Sequence, residues 1–487
     1  MPSKRREMAF GSLLLVPTRN GIHKGPASQG RGVPVVKMGE VYHADIVKDA
    51  ERDLLDLTPD ELNRLEVLVD DLLFCRTSLV AEGVGHCALV GELSQRTTFA
   101  SNLIRVRLDQ DKADPRYWFY YFRSPMGQEQ LLTLARGTSV TTITGPDIAA
   151  LDVPVSDISA QRSIARILGA LDDKIELNRK MNETLEQMAR AIFKACFTYP
   201  YEGLPMLMAG KPPSSFPLPL GEGGRRSSEG HVGMVDSPLG KIPKGWSVVP
   251  LGELFAVGLG GAWGQDAPTK SASTAVRCLR GIDCHELAEG GTPQVPIRWL
   301  SAGQAMDRIL ADGTIIVEGS GSFCGRSLLW DSAFHRVVQE PVVYSNFCKR
   351  LDAKCTVSQA LVAWQQMREA YRAGEMQAFR TGTAFPNFDV HGALANLLVI
   401  RPPASVADTF AEFYSLGRRT DLMAQSRTLA AIRDALLPKL ISGEIRTASD
   451  EVRSTNWERL AGEIQTTNDA RRSTKREVRE SNTGRSR

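Results

Sequence analysis

No stretch of this chain stays apolar long enough to cross a membrane. The longest run near the N-terminus is Leu13-Leu14-Leu15-Val16, far short of the roughly 20 residues of a spanning helix and of a signal-peptide core. A cytoplasmic protein with no membrane partner is expected. Charge of one sign is also missing: 59 basic residues face 56 acidic ones, a net +3. Composition therefore does not mark a nucleic-acid binder, and any basic surface must come from local patterning. The eight cysteines (Cys75, Cys87, Cys196, Cys278, Cys284, Cys324, Cys348 and Cys355) contain no C-x-x-C pair, which predicts reduced, structural thiols. Cys278, Cys284 and His285 lie close in sequence but lack a fourth ligand at zinc-site spacing, so no metal is expected. What remains is an ordinary soluble composition, 42% hydrophobic and 24% charged over 487 residues, enough for two to four domains.

Proline is absent, and glycine all but absent, from one long stretch. Ser156–Phe197 contains only Gly169. Ile164, Leu168, Leu171, Ile175, Asn178, Asn182, Leu185, Ala189 and Ile192 alternate four and three apart, the mark of a helix seated along a partner helix. About 40 residues at about 1.5 Å each make a rod of about 60 Å.

The rest of the chain is arranged around that rod. Residues 1–155 read as a mixed domain. Thr58-Pro59-Asp60-Glu61 is a capping box with Pro at the first helical position. Asp114-Pro115 opens a helix carrying Tyr117, Trp118, Phe119, Tyr120, Tyr121 and Phe122, read as core in preference to a base-stacking platform. The rod occupies 156–199. Residues 200–238, with the Pro/Gly/Ser-rich Lys211–Gly230, read as a low-complexity linker or insertion. A second mixed domain covers 239–403 and a second long helix 404–446. The polar tail 447–487 is expected to be disordered.

The chain says nearly the same thing twice. Asp70–Phe74 answers to Asp312–Ile316 at an offset of 242, Arg136-Gly137-Thr138 to Thr381-Gly382-Thr383 at 245, Ile148–Val153 to Leu394–Val399 at 246, and Ile192–Lys194 to Leu437–Lys439 at 245. The expected fold is α+β: two similar domains separated by two long antiparallel helices forming a coiled coil, with a pseudo-two-fold internal repeat. Leu429, Ile432 and Leu436, with Leu422, mark one seam of the second helix; Phe413, Leu416 and Met423 start another. Asn178 and Asn182 either fix the register of the pair or face solvent at a wide seam.

Four segments together resemble a known family. They are GKIPKGWSVVPLGELF (Gly240–Phe255), the Gly-Thr loop before a strand, the helix Ile167–Phe197, and the closing ALLPKLISGEIR (Ala435–Arg446). The sequence resembles the specificity subunit of type I restriction-modification systems over about residues 10–200 and 238–446. The Pro243-x-Gly245-Trp246 opening of the second domain has no counterpart before the first, which leaves the first domain either complete or truncated at its start. The resemblance implies two target-recognition domains that each read half of a split sequence in double-stranded DNA. It implies a coiled coil that spaces them and docks two methyltransferase subunits, with restriction subunits joining the full complex. S-adenosylmethionine, ATP and Mg2+ would then sit on the partner subunits, and this chain would carry no cofactor. A spacer of about 60 Å suits readers placed one or more helical turns of DNA apart, about 34–36 Å each.

Sites for chemistry are missing as well. Asp114-Pro115-Arg116-Tyr117 has Arg where an amino-methyltransferase loop needs a second Pro, and no Gly-rich cofactor loop accompanies it. Gly319-Ser320-Gly321-Ser322-Phe323-Cys324-Gly325-Arg326-Ser327 lacks the Lys and the spacing of a phosphate loop and reads as a connection between two strands. A non-catalytic, DNA-reading subunit is expected; the alternative is a non-enzymatic coiled-coil scaffold for protein partners. Candidate DNA contacts in the first domain are Arg19, Asn20, Lys37, Arg76, Ser78, Arg136, Thr138, Thr141 and Thr142. In the second they are Arg277, Arg280, Arg326, Asn346, Arg380, Thr383 and Asn387. The Gly-Thr loops serve either as contacts or as turns that aim the next strand.

Overall fold

The computed structural model describes residues 6–78, 83–137, 141–198, 201, 203–208, 233–339, 341–383, 385–414 and 416–445. Thr138, most of the expected linker (209–232) and the tail 447–487 lie outside them. The chain divides into two compact units, Met1–Leu171 with Ile432–Arg487, and Asp172–Ala431. Both mix helix and strand.

In unit 1 the strands of the main sheet and its companion pair are β1 (Arg6–Ala9), β2 (Leu14–Asn20), β3 (Ile46–Val47), β4 (Leu72–Cys75), β5 (Cys87–Val90), β6 (Leu103–Leu108) and β7 (Asp152–Val155). The main sheet has the order β2-β6-β4-β5-β3, with β1 and β7 paired separately. All four residues of β4, Leu72 to Cys75, are buried, as expected of a central strand covered on both faces. Helix α1 (Pro115–Arg123) starts where Asp114 accepts a hydrogen bond from the Tyr117 backbone N–H at 2.8 Å. Its six aromatics are at most 3% exposed. Trp118 lies 5.0 Å from Phe10 and Phe122 5.1 Å from Phe74, ring centre to ring centre. The run is core, and offset or edge-on pairs of this kind add about 0.5–1.5 kcal/mol each. The long helix α2 (Ile158–Phe197) follows.

Unit 2 holds β8 (Ser247–Pro250), β9 (Phe255–Val257), β10 (Ile315–Glu318), β11 (Ser327–Leu329), β12 (Cys348–Ala353) and β13 (Leu398–Arg401), with α3 (Val357–Arg372), α4 (Ala404–Tyr414) and α5 (Leu416–Ser442). Its main sheet has the order β9-β12-β10-β11, and β8 pairs with β13. This repeats unit 1 strand for strand, without the β3 edge. The low-complexity segment begins later than expected: Tyr201, Leu204 and Leu207 are buried in the unit 2 core, because their apolar side chains follow directly on the end of α2.

The repeat extends to single hydrogen bonds. The Asp70 N–H donates to Val90 O and the Val90 N–H to Asp71 O; Gly313 donates to Trp330 O and Trp330 to Thr314 O. Asp70 and Gly313 both have positive φ, 69° and 82°. The turn before the central strand is therefore matched at an offset of 243, one residue away from the 242 that residue identity suggests. Backbone geometry decides here, since a left-handed residue favours Gly and tolerates Asp.

Along the long helices each unit has its own packing. In unit 1, Ile164, Ala165 and Leu168 of α2 share a core with Leu437, Leu440 and Ile441 of α5. In unit 2, Asn178 Nδ2 reaches Gln425 Oε1 at 2.9 Å and Ser426 Oγ at 3.2 Å, while Phe193 and Phe197 meet Phe410 at 5.9 and 5.1 Å. Within unit 2, contacts thus climb α2 while they descend from α5 to α4. Asn178 and Asn182 are both buried. Asn178 bonds the facing helix, whereas Asn182 donates to Gly290 O at 3.3 Å, a loop carbonyl. Leu171, Ile175 and Leu185 are half-buried and Ile192 is buried. One seam position needs correction: Ile432 is 43% exposed, while Thr420, Met423 and Ser426 are buried. Ile432 lies nine residues from Met423, about half a turn round the helix. Leu429 and Leu436 are half-buried.

Next to Asn182 sits a buried ionic cluster. Glu186 of α2 bonds Arg368 of α3 and lies 2.8 Å from Arg419 of α5. Arg368 also meets Glu289 at 2.8 Å. Glu186, Arg368 and Arg419 are 6%, 6% and 2% exposed. Burial works against the Arg368 charge, but Glu186 and Glu289 more than offset it and raise its pKa.

Candidate nucleic-acid interface

The candidate contact residues gather at one end of each main sheet. In unit 1, β4 ends at Cys75, β2 ends at Asn20, and β6 begins at Leu103. Arg76 donates its N–H to Asn102 O at 2.8 Å, and Ile143 donates to Arg76 O at 3.0 Å. Thr77-Ser78 pairs with Thr141-Thr142, and Arg136 bridges Thr142. Arg19, Asn20, Arg76, Ser78, Arg136, Thr141 and Thr142 therefore share this end.

Unit 2 builds the same platform. The Gly319 N–H donates to Phe347 O at 2.8 Å and the Phe388 N–H to Gly319 O at 2.9 Å, the counterparts of the two Arg76 bonds at offsets of 243 and 245. Arg380-Thr381 pairs with Asn387-Phe388, matching Arg136 and Thr142. Gly137 and Gly382, 245 apart, both have positive φ, 105° and 81°. In both units a left-handed glycine thus follows one arm of a matched antiparallel pair. Arg326, Asn346, Arg380, Thr383 and Asn387 lie on these loops.

Lys37 and Arg280 occupy equivalent places beside the platforms. Ala100 donates to Val36 O and Ser345 to Leu279 O, so each basic residue follows a strand that abuts a platform loop. Each also stands at the start of a helix, where its backbone N–H donates to an acid three residues on, Lys37 to Glu40 Oε1 at 3.0 Å and Arg280 to Asp283 Oδ2 at 2.8 Å. Arg277 lies apart. Its guanidinium donates to Val295 O at 3.0 Å and Gln339 Oε1 at 3.2 Å, which makes it a structural tie within unit 2.

Few of these cations are free. Arg136 pairs with Asp147 at 3.1 Å, Arg326 with Glu318 at 2.7 Å, Arg280 with Asp283 at 2.7 Å, and Lys37 with Asp53. Arg380 donates to Cys324 O at 3.1 Å. Arg19 is exposed on β2 with no ion pair among the described residues, opposite Arg105. His86, the unit 1 counterpart of Arg326, has its pKa lowered by burial and by Arg123, which favours the neutral ring. The thiols are quiescent: burial pushes Cys75 and Cys278 up to about 12. Among the described residues no cluster of three or more His, Cys, Asp or Glu side chains is placed to hold a metal.

The comparisons with known proteins bear on this geometry. Residues 32–187 match the family described as Type I restriction modification DNA specificity domain. The chain is 32% identical to the type I restriction enzyme EcoKI specificity subunit of Escherichia coli (strain K12) over 38% of this chain and 39% of that protein. It is 22% identical to the MjaIX specificity subunit of Methanocaldococcus jannaschii over 86% of this chain and 90% of that protein.

Residues 32–187 are thus similar to the type I specificity domain.

The aligned part spans well under half the length of the Escherichia coli relative. A crystal structure of the S subunit of the type I restriction-modification system from M. genitalium aligns with 89% of this chain and 95% of its own at 13% identity and a TM-score of 0.48. The family match covers the unit 1 platform from Arg76 to Thr142, but not Arg19 and Asn20, and runs on along α2 to residue 187. Residues that pattern-reading of the loops passed over are Phe323, Phe347, Phe385 and Lys349, all on or beside the unit 2 platform. Their signal was present: each phenylalanine sits alone among turn-forming residues, in Gly-Ser-Phe, Ser-Asn-Phe and Phe-Pro-Asn.

Proposed function

We propose that this chain is the DNA-reading subunit of a type I restriction-modification complex and recognises a bipartite target, one half with each loop platform. The observation that carries this reading is the repetition of the platform. Two strand-end loop clusters built by the same hydrogen bonds, at offsets of 240 to 245, suit two half-sites read by one chain. Their side chains differ, as two different half-sequences require. In this reading the long helices form an antiparallel coiled coil between the two recognition domains, and methyltransferase and restriction subunits dock on the assembly. A groove on unit 2 between α2 and α5 supports a docking role: Leu177 and Met181, 49% and 43% exposed, line it together with Leu422. The chain itself performs no chemistry in this account. S-adenosylmethionine, ATP and Mg2+ belong to the partners, and the complex works in the cytoplasm.

Methylome sequencing of host cells with and without the chain tests the proposal. The expected result is a split methylated motif that vanishes on deletion. An unchanged methylome in a host whose system is otherwise active would reject it, as would DNA binding by the assembled complex that does not weaken with salt. Either result would favour a protein-binding scaffold.

A further inference from the structure

The unit 2 platform carries three phenylalanines in water, on three neighbouring loops: Phe323 at 56%, Phe347 at 61% and Phe385 at 84% exposure. Backbone hydrogen bonds tie those loops together. The Gly319 N–H donates to Phe347 O at 2.8 Å, and the Gly321 N–H to Pro386 O at 2.9 Å. Ser320 bridges Asn387, whose side-chain amide donates to Phe385 O at 3.2 Å. Phe323 packs under the Arg326 guanidinium, 4.3 Å from ring centre, and that guanidinium is held by Glu318. The loops are fixed, and the three rings stand largely in solvent. Exposed apolar groups clustered in this way mark a contact surface.

Charge indicates what the surface meets. Lys349 lies against Gly319, with its Cε 3.1 Å from where a Cβ would stand, and it has no ion pair among the described residues. Arg380 and Arg326 flank the same loops. Cations around an apolar tip suit a polyanion that also presents apolar marks. A phenyl ring has no donor or acceptor, so it cannot read the hydrogen-bonding pattern of a base edge. In the major groove the apolar feature of a base edge is the thymine 5-methyl.

We infer that Phe323, Phe347 and Phe385 form an apolar reading head that contacts thymine methyl groups in the half-site recognised by unit 2. The inference rests on the DNA-recognition reading above and adds the chemistry by which one half is read. Unit 1 does not share it. The position equivalent to Phe347 is Asn102, and the equivalent of Arg326 is His86, which stacks beside Tyr42 at 5.1 Å.

The test uses the full chain, purified with the methyltransferase subunits it assembles with, and selection from a pool of random duplexes. Wild type should enrich a split motif with thymines in one half. Replacing dT by deoxyuridine in the enriched duplex should weaken binding about four-fold per contacted thymine, the worth of one buried methyl. The combined change Phe323→Ala, Phe347→Ala and Phe385→Ala should weaken binding about ten-fold or more, blur that half only, and abolish the deoxyuridine effect. The rings lie in solvent, so the melting curve should stay unchanged. Indifference of wild type to deoxyuridine overturns the inference, as does an unaltered motif in the triple variant. Loss of oligomeric assembly with unchanged DNA selection overturns it too, by marking the rings as a protein contact. A wild-type chain that enriches no split motif would overturn the DNA-recognition reading itself.

Discussion

Helix α2 is held by opposite chemistries at two places along its length. Around Ile164 and Leu168 in unit 1 it meets Leu437, Leu440 and Ile441, all aliphatic. Around Asn178 to Glu186 in unit 2 it meets Ser426, Arg419 and Arg368, and the contacts are hydrogen bonds and buried ion pairs. Aliphatic packing is non-directional and contributes stability in proportion to area. Buried polar and ionic contacts contribute little net stability, because desolvation offsets attraction, but they penalise every wrong alignment. Unit 1 thus draws on area-proportional packing along α2, and unit 2 on directional contacts.

Four substitutions break or sharpen that contrast. The largest effect is expected from Glu186→Ala, which leaves Arg368 and Arg419 buried without their shared carboxylate. A loss of about 3–5 kcal/mol is expected, read as a lowered denaturant midpoint of the full chain; a loss below about 1 kcal/mol would mean the two arginines are not truly desolvated. Leu168→Ala should cost about 3 kcal/mol by leaving a cavity in the aliphatic core of unit 1, without altering assembly with partner subunits. Asn178→Leu should change global stability by about 1 kcal/mol, while assembly and motif spacing change measurably. If spacing and assembly are both unmoved, Asn178 does not set register.

The smallest effect concerns pH. Burial alone would raise the Glu369 pKa, but hydrogen bonds from Arg190, Arg372 and Lys194 bring it from the ordinary 4.5 to about 2. Since the folded value lies below the unfolded one, its contribution is present above about pH 4.5 and is lost as pH falls toward 2. Its partners Arg190 and Lys194 are well exposed, at 38% and 52%, so Glu369→Gln should shift the melting temperature by only a degree or two at neutral pH. It should also flatten the acid limb of the stability profile.

Much of the architecture could be read from the chain, and particular residues show why. Thr58 and Asp114 announce helix starts through local chemistry alone, and both cap as expected. Gly137 and Gly382 mark equivalent positions because a positive φ leaves few other choices. The resemblance was legible in α2 and in the Ala435–Arg446 closing segment, whereas the family match covers residues 32–187. Legibility stops where tertiary contact chooses among equivalent options. Spacing placed Ile432 in a seam, although partner geometry buries Thr420, Met423 and Ser426 instead. Residue identity aligned Asp70 with Asp312, although the turn backbone aligns it with Gly313. The three phenylalanines were passed over because an isolated aromatic in a loop has no period to betray it.

The matched hydrogen bonds around the platforms have a practical meaning for engineering. Cys75 donates to His86 O and Gly85 to Cys75 O, as Glu318 donates to Arg326 O and Gly325 to Glu318 O. The loop between these anchors is three residues longer in unit 1, since the offset falls from 243 to 240, while the bonds that clamp its ends are the same. Such loops are interchangeable parts in a common fitting. Grafting Gly319–Cys324 in place of residues 76–84 would ask nothing new of either strand, and would move one unit's reading chemistry onto the other's frame.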